Sequence, residues 1–201
     1  GQIYNSNRYA INTLLQTLGC VVTDFGIVAD DREATITLLK TASAEHDVVM
    51  TSGGVSVGEE DHVKAAVEYL GALDLWKIAM KPGKPFAHGR IGEADFIGLP
   101  GNPVSAFVTA MLFAVPALDA MRGHPAPGLT RGSAMAAEAM PANGARTDHV
   151  RGVLRDGRVS VTGLNDSAAL VALSQANVLI VRDAGAPAVS AGDPVPIVFI
   201  A

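Results

Sequence analysis

Apolar residues recur at helical spacing over Ile11, Leu14, Leu15 and Leu18. Asn5, Ser6 and Asn7 precede them and Gly19 follows. Side chains three and four apart share a helix face, short polar side chains accept from the free N–H groups of a first turn, and glycine stops a helix, so a helix is predicted here. Residues 20–28, CVVTDFGIV, are rich in β-branched side chains and predict a strand. Ala29, Asp30 and Asp31 form a turn, and Ile36, Leu38 and Leu39 mark a second helix over residues 34–45. A short apolar strand over residues 47–51 runs straight into a glycine-rich stretch, TSGGVSVGEED, over residues 51–61. A helical pattern over residues 60–70 leaves it, and residues 73–80, LDLWKIAM, predict the next strand.

Strands alternating with helices predict βαβ units and a mostly parallel sheet. In such sheets ligands sit beyond the carboxyl ends of the strands, which is where Asp30 and the Ser52–Gly58 turn fall. Gly53, Gly54 and Gly58 let the backbone turn tightly and approach a ligand. Free N–H groups at the following helix start suit an oxyanion, and Asp61 in its first turn could hold a metal. Lys77, Lys81 and Lys84 then cluster around a proline-stiffened KPGKP loop, an anion platform in a chain of net charge -5. Two short strands over residues 86–91 and 95–99 are joined at Gly92 and Glu93. GLPGNPVS over residues 98–105 is a second strand–turn–helix junction: Gly101 allows the turn, Asn102 caps the helix and Pro103 suits its first position. The helix reaches Met121, with Pro116 marking a kink, and residues 124–128 read as a linker.

Beyond the linker, short β-prone runs recur over residues 149–154, 159–162, 178–181 and 194–200, with turns at Asn143-Gly144, Asp156-Gly157 and Gly192-Asp193. Only residues 167–176 look helical. The chain thus divides into an α/β domain, 1–125, and a small all-β, barrel-like domain, 126–201.

Composition narrows the function classes. Of 201 residues, 49% are hydrophobic and 17% charged, enough apolar material for a large core. A pI near 5.4 argues against a general nucleic-acid or polybasic membrane binder. The lone Cys20 excludes an internal disulfide framework and reads as a core residue. No apolar run approaches a bilayer-spanning length and no signal peptide opens the chain, which points to a cytoplasmic protein. No histidine pair has metal-ligand spacing, and Glu59 stands where a P-loop needs lysine. His62 and His88 lie beside the loops, and Arg146 and Arg151 face either substrate or solvent.

TSGGVSVGEED, KPGKP and GLPGNPVSA, in this order and spacing, resemble the molybdopterin molybdenumtransferase family, which includes bacterial MoeA and the C-terminal region of gephyrin. GQIYNSNR, GIVADD and the tail from Asp166 to Asp193 fit the same pattern. The resemblance implies a three-layer molybdopterin-binding α/β domain followed by a β-barrel-like one. It implies insertion of molybdate into adenylylated molybdopterin with release of AMP, Mg²⁺ assisting, by a homodimer. It assigns catalytic roles to Asp30, Asp61, Lys77 and Lys81, with Asp30 and Asp61 at the metal. It assigns substrate contacts to Ser52, Gly53, Gly54, Ser56, Gly58, Lys84, Pro100, Gly101, Asn102, Ser105 and Ser167. Asp166 stands where the family has glycine. The family's α/β domain also starts one strand earlier, with a Thr-Gly-Asp-Glu turn, and two domains precede it. Without these, the sequence predicts an unpaired sheet edge, exposed apolar surface and low activity. Rival readings are a non-catalytic molybdopterin-binding scaffold, a nucleotide pyrophosphatase, or the neighbouring adenylyltransferase, which the β domain disfavours.

Overall fold

A computed structural model describes residues 5–55, 62–126, 128–162 and 170–200. The chain forms two compact units, Gly1–Ile78 with Gly83–Ala110, and Ala79–Pro82 with Met111–Ala201.

In the first unit, helix α1 (Ser6–Thr17) starts where expected, with the Asn5 side chain accepting from Arg8 N. Helix α2 (Arg32–Glu45) is capped by Asp31, whose Oδ1 accepts from Ala34 N at 2.7 Å. Strand β1 (Val48–Ser52) enters the glycine-rich turn, and helix α3 (His62–Leu70) follows it. Strand β2 is Gly71–Trp76, so the strand predicted over residues 73–80 starts two residues earlier and stops at Trp76. Strands β4 (Ala87–Ile91) and β5 (Ala94–Leu99) form the predicted hairpin about Gly92 and Glu93. Helix α4 (Pro103–Thr109) closes the unit. Apolar faces of α2 and α3 meet the sheet in a core of Ile36, Leu39, Val49, Val55, Val67 and Phe96.

The sheet order is β1-β5-β4-β2. Among the described residues only β1–β5 is parallel; β4–β5 and β2–β4 are antiparallel. This corrects the mostly parallel sheet. A two-residue connection can join only antiparallel neighbours, since a parallel pair needs a crossover of about a dozen residues.

Residues 20–28 are not a strand. Strand backbone needs a neighbour to take its N–H and C=O groups, and no described strand runs beside this segment. Side-chain bonds hold it instead: Asp24 accepts from Arg8 Nε at 2.6 Å and Asn12 Nδ2 at 2.8 Å. The Arg8 bond holds the Asp24 carboxyl below the usual carboxylate range. Thr23 bonds His46 Nε2 at 2.8 Å. Val21 and Ile27 are exposed, and Cys20 is only half-buried rather than core.

In the second unit, the two-residue strand β3 (Met80–Lys81) pairs with β7 (Thr147–Arg155). The predicted kink is a π-helical stretch, Ala110–Ala114, after which α5 (Val115–Met121) carries Pro116 in its first turn, where a missing N–H costs least. The run Pro103–Met121 is thus 19 helical residues, long and apolar enough to cross a membrane by length and composition. More than half of it is buried within the protein, as in a core helix. Strands β6 (Arg131–Ala136), β7, β8 (Arg158–Val161), β9 (Val178–Arg182) and β10 (Pro194–Phe199) form a ring, because β7 pairs with both β8 and β9. Ala136, Val159, Val178, Ile180, Val195 and Ile197 fill its core. Helix α6 (Leu170–Gln175) makes this unit mixed rather than purely β.

Candidate functional site

Across the first unit's sheet, Thr51 lies opposite Gly98, Gly98 opposite Ala87, and Ala87 opposite Trp76. Strands β1, β5 and β2 therefore share one direction, and their carboxyl ends lie at one end of the sheet. Three connections leave there: the turn after Ser52, the turn after Leu99, and Lys77. At about 4.8 Å per strand, β2 stands about 14 Å from β1.

The first two turns are tied together. Gly53 N donates to Leu99 O at 3.0 Å. Ser52 Oγ donates to Pro100 O at 3.4 Å. Asn7, in the first turn of α1, donates through Nδ2 to Ser52 Oγ at 2.7 Å and to Gly101 O at 2.8 Å. Gly53 and Gly101 face each other closely: a Cβ built on Gly101 would meet Gly53 Cα at 3.7 Å. Gly53 has φ +89° and Gly54 φ +69°, a region open to glycine and costly for other residues. Asn102 caps α4, its Oδ1 accepting from Ser105 N at 3.1 Å and from the Ser105 hydroxyl at 3.2 Å. Ser105 is buried in this cap.

Lys77 has φ +87°, the left-handed region that a lysine rarely enters. It persists because the peptide groups on both sides of its Cα are pinned: Lys77 N donates to Phe86 O at 2.9 Å and Ile78 N to Lys84 O at 3.0 Å. Such a conformation costs about 1–3 kcal/mol and recurs where a side chain must be aimed. Lys77 and Lys84 are both exposed. Asp30 does not cap α2, a task Asp31 performs. Its carboxylate is 89% exposed and lies 3.8 Å from His62 Nε2, at the start of α3.

The structure thus gathers Ser52, Gly53, Pro100, Gly101, Asn102 and Ser105, sets Gly54 in the same turn, and places Lys77 on the same sheet end. Lys81 belongs to the second unit, where its ammonium pairs with Asp148 at 3.4 Å. Ser56, Gly58, Asp61 and Ser167 lie outside the described residues. Arg146 is exposed and Arg151 buried. Among the described residues no cluster of three His, Cys, Asp or Glu side chains could hold a metal ion. The residue that sequence reasoning missed is Asn7. It reads as one of three possible caps, although its spacing of four from Ile11 puts both on one helix face.

Comparison with known proteins gives consistent matches. Residues 1–120 match the family described as probable molybdopterin binding domain, and residues 133–200 match the MoeA C-terminal region (domain IV). A molybdopterin molybdenumtransferase of Haemophilus influenzae is 47% identical over 124 residues, 62% of this chain and 31% of that protein. One from Nostoc is 32% identical over 97% of this chain and 47% of its own length. The crystal structure of a molybdopterin biosynthesis MoeA protein from Pyrococcus horikoshii superposes with a TM-score of 0.84 at 26% identity, covering 98% of this chain and 48% of that one. The chain spans less than half the length of these relatives.

Proposed function

This chain belongs to the MoeA family of molybdopterin molybdenumtransferases, and on that premise we propose that it serves molybdenum cofactor biosynthesis by inserting molybdate into adenylylated molybdopterin with release of AMP. The observation that carries this reading is the joining of the Ser52–Gly53 and Gly101–Asn102 turns at one sheet end with Lys77. A wall of backbone amides and glycines suits a bulky phosphorylated ligand, and a lysine aimed from a strained backbone suits an oxyanion.

In this reading residues 1–125 are a three-layer molybdopterin-binding domain, residues 126–201 are the family's barrel-like domain, and the protein acts as a homodimer. Ser52, Gly53, Gly54, Ser56, Gly58, Pro100, Gly101, Asn102, Ser105 and Ser167 contact or shape the substrate pocket. Lys77, Lys81 and Lys84 hold molybdate and the phosphates, where fixed positive charge offsets the charge that develops on the leaving phosphate. A water oxygen attacks the adenylyl phosphorus, the phosphoanhydride bond breaks, the molybdopterin phosphate departs with the bond electrons, and AMP is released carrying the incoming oxygen once the water's proton is lost. Asp30, exposed and not engaged in the cap, is suited to orient that nucleophile, as is Asp61. Mg²⁺ would need more than Asp30, whose carboxylate lies 3.8 Å from His62 Nε2, because no cluster of three His, Cys, Asp or Glu side chains forms among the described residues.

The test is to supply adenylylated molybdopterin with and without molybdate and to measure AMP and incorporated molybdenum for the wild type, Lys77→Ala and Lys81→Ala. Molybdate-dependent AMP release that falls at least tenfold in both variants is expected, about 1.4 kcal/mol of lost stabilisation each. AMP release indifferent to molybdate makes the protein a pyrophosphatase, and binding without AMP release makes it a scaffold.

A further inference from the structure

Helix α1 turns only two described side chains fully inward, Asn7 and Ile11. Ile11 is apolar and accounts for packing. Asn7 is only 6% exposed, yet it is polar. Its amide orientation is determined, because Gly101 O can only accept and Nδ2 must face it. Nδ2 therefore bridges Gly101 O and Ser52 Oγ, while Oδ1 is buried with no partner among the described residues. A side chain buried for packing alone would not carry an orphan acceptor.

The two turns it bridges are hinged on glycines. Gly53 and Gly54 follow one contact, and Gly101 is the other. Besides Asn7, among the described residues only Gly53 N to Leu99 O and the longer Ser52 to Pro100 contact join them. The separation of the two walls is thus set from outside, by a side chain of a third element.

We propose that Asn7 is a positioning residue, which locks the turn after β1 against the turn after β5 and so presets the gap that receives the pterin end of the substrate; this rests on the functional reading above. Asn7 acts through Ser52 and Gly101.

Asn7→Asp is the informative change, since it keeps the shape and removes the donor. At about pH 8 its carboxylate faces Gly101 O and Ser52 Oγ, and the clasp to the carbonyl opens. Burial raises the carboxyl's pKa, so on moving to about pH 5.5 it protonates and can donate to Gly101 O again. Expected at about pH 8 is a loss of about tenfold or more in molybdopterin affinity, with KM for adenylylated molybdopterin raised and kcat changed less. On acidification Asn7→Asp regains affinity relative to wild type measured at the same pH, while Asn7→Ala does not. Amide exchange without ligand at residues 53–55 and 101–102 quickens in both variants at about pH 8. Wild-type affinity and exchange in Asn7→Asp overturn the proposal, as does a deficit equal to that of Asn7→Ala at every pH. Wild-type protein that binds no molybdopterin overturns the functional reading instead, and the exchange measurement still decides the role of Asn7.

Discussion

Replacing Gly98 with alanine should disturb the pocket from beneath. Gly98 is buried on β5, between Thr51 and Ala87. A methyl there would lie 2.5 Å from Val55 Cγ1, 3.0 Å from Ala87 Cβ and 3.3 Å from Phe96 Cε1. Carbon atoms pack best at about 3.5–4.0 Å, so Val55 must withdraw by about 1 Å. Val55 is 2% exposed and stiff at χ1, so its backbone, just beyond Gly53 and Gly54, moves with it. Overpacking costs about 1–3 kcal/mol, and removing a strand glycine returns about 0.5–1, leaving net destabilisation of about 0–2.5 kcal/mol, centred near 1. Val55→Ala alone removes two buried methyl groups, about 1.5–3 kcal/mol with the cavity included. In the double variant the new methyl occupies the space that Val55 vacates. Its stability should therefore match Val55→Ala alone, a coupling equal to the whole cost of Gly98→Ala, about 1 kcal/mol. Urea unfolding of the four proteins, at unchanged m-value, measures this. Substrate affinity should fall in Gly98→Ala and return in part in the double variant. Strict additivity of the two changes would refute the contact and the path from Gly98 to the turn.

Other consequences can be checked separately. Lys77→Gly relieves a left-handed lysine worth about 1–2 kcal/mol against about 0.5–1 for the freer unfolded chain, so thermal stability should hold or rise slightly while AMP release falls; a loss above about 1 kcal/mol would show that the backbone is not strained there. Gly53→Ala should destabilise the turn by about 1 kcal/mol or more through its φ of +89°, whereas Gly101→Ala, with room for a methyl and no positive φ, should cost less in stability; equal costs in unfolding experiments would contradict this. Burial pushes the His149 imidazole below its usual value, and its Nδ1 has no partner among the described residues. The unfolded chain therefore binds more protons below about pH 6.5, so this group's contribution is intact above that value and is lost as pH falls toward the folded pKa. His149→Leu should flatten that part of the stability–pH profile, and an unchanged slope would exclude His149 as its source.

Much of the candidate site is readable from local chemistry. Asn102, Pro103 and Ser105 follow a strand in an order that a helix start requires, and the cap they form is local. Gly53 and Gly54 mark a tight turn for the same reason. The hairpin at Gly92 and Glu93 needs only a two-residue connection between apolar runs. The segment 20–28 misleads because β-branched residues state a preference while a strand also requires a partner, and pairing is not encoded within the segment. The parallel sheet misleads likewise: alternation of elements suggests crossovers, but β4 and β5 are too close in sequence to be anything but antiparallel.

By itself, then, the sequence determined the helices, the caps, the glycine turns, the hairpin and the family motifs, all set by interactions within a few residues. Only the tertiary structure decided that Lys77 takes a left-handed backbone between two pinned peptide groups and that Lys81 pairs with Asp148. It also decided that Asn7 clasps residues 45 and 94 positions away. Such contacts arise when strands from separate parts of the chain align at one sheet end, and no spacing along the sequence records that alignment.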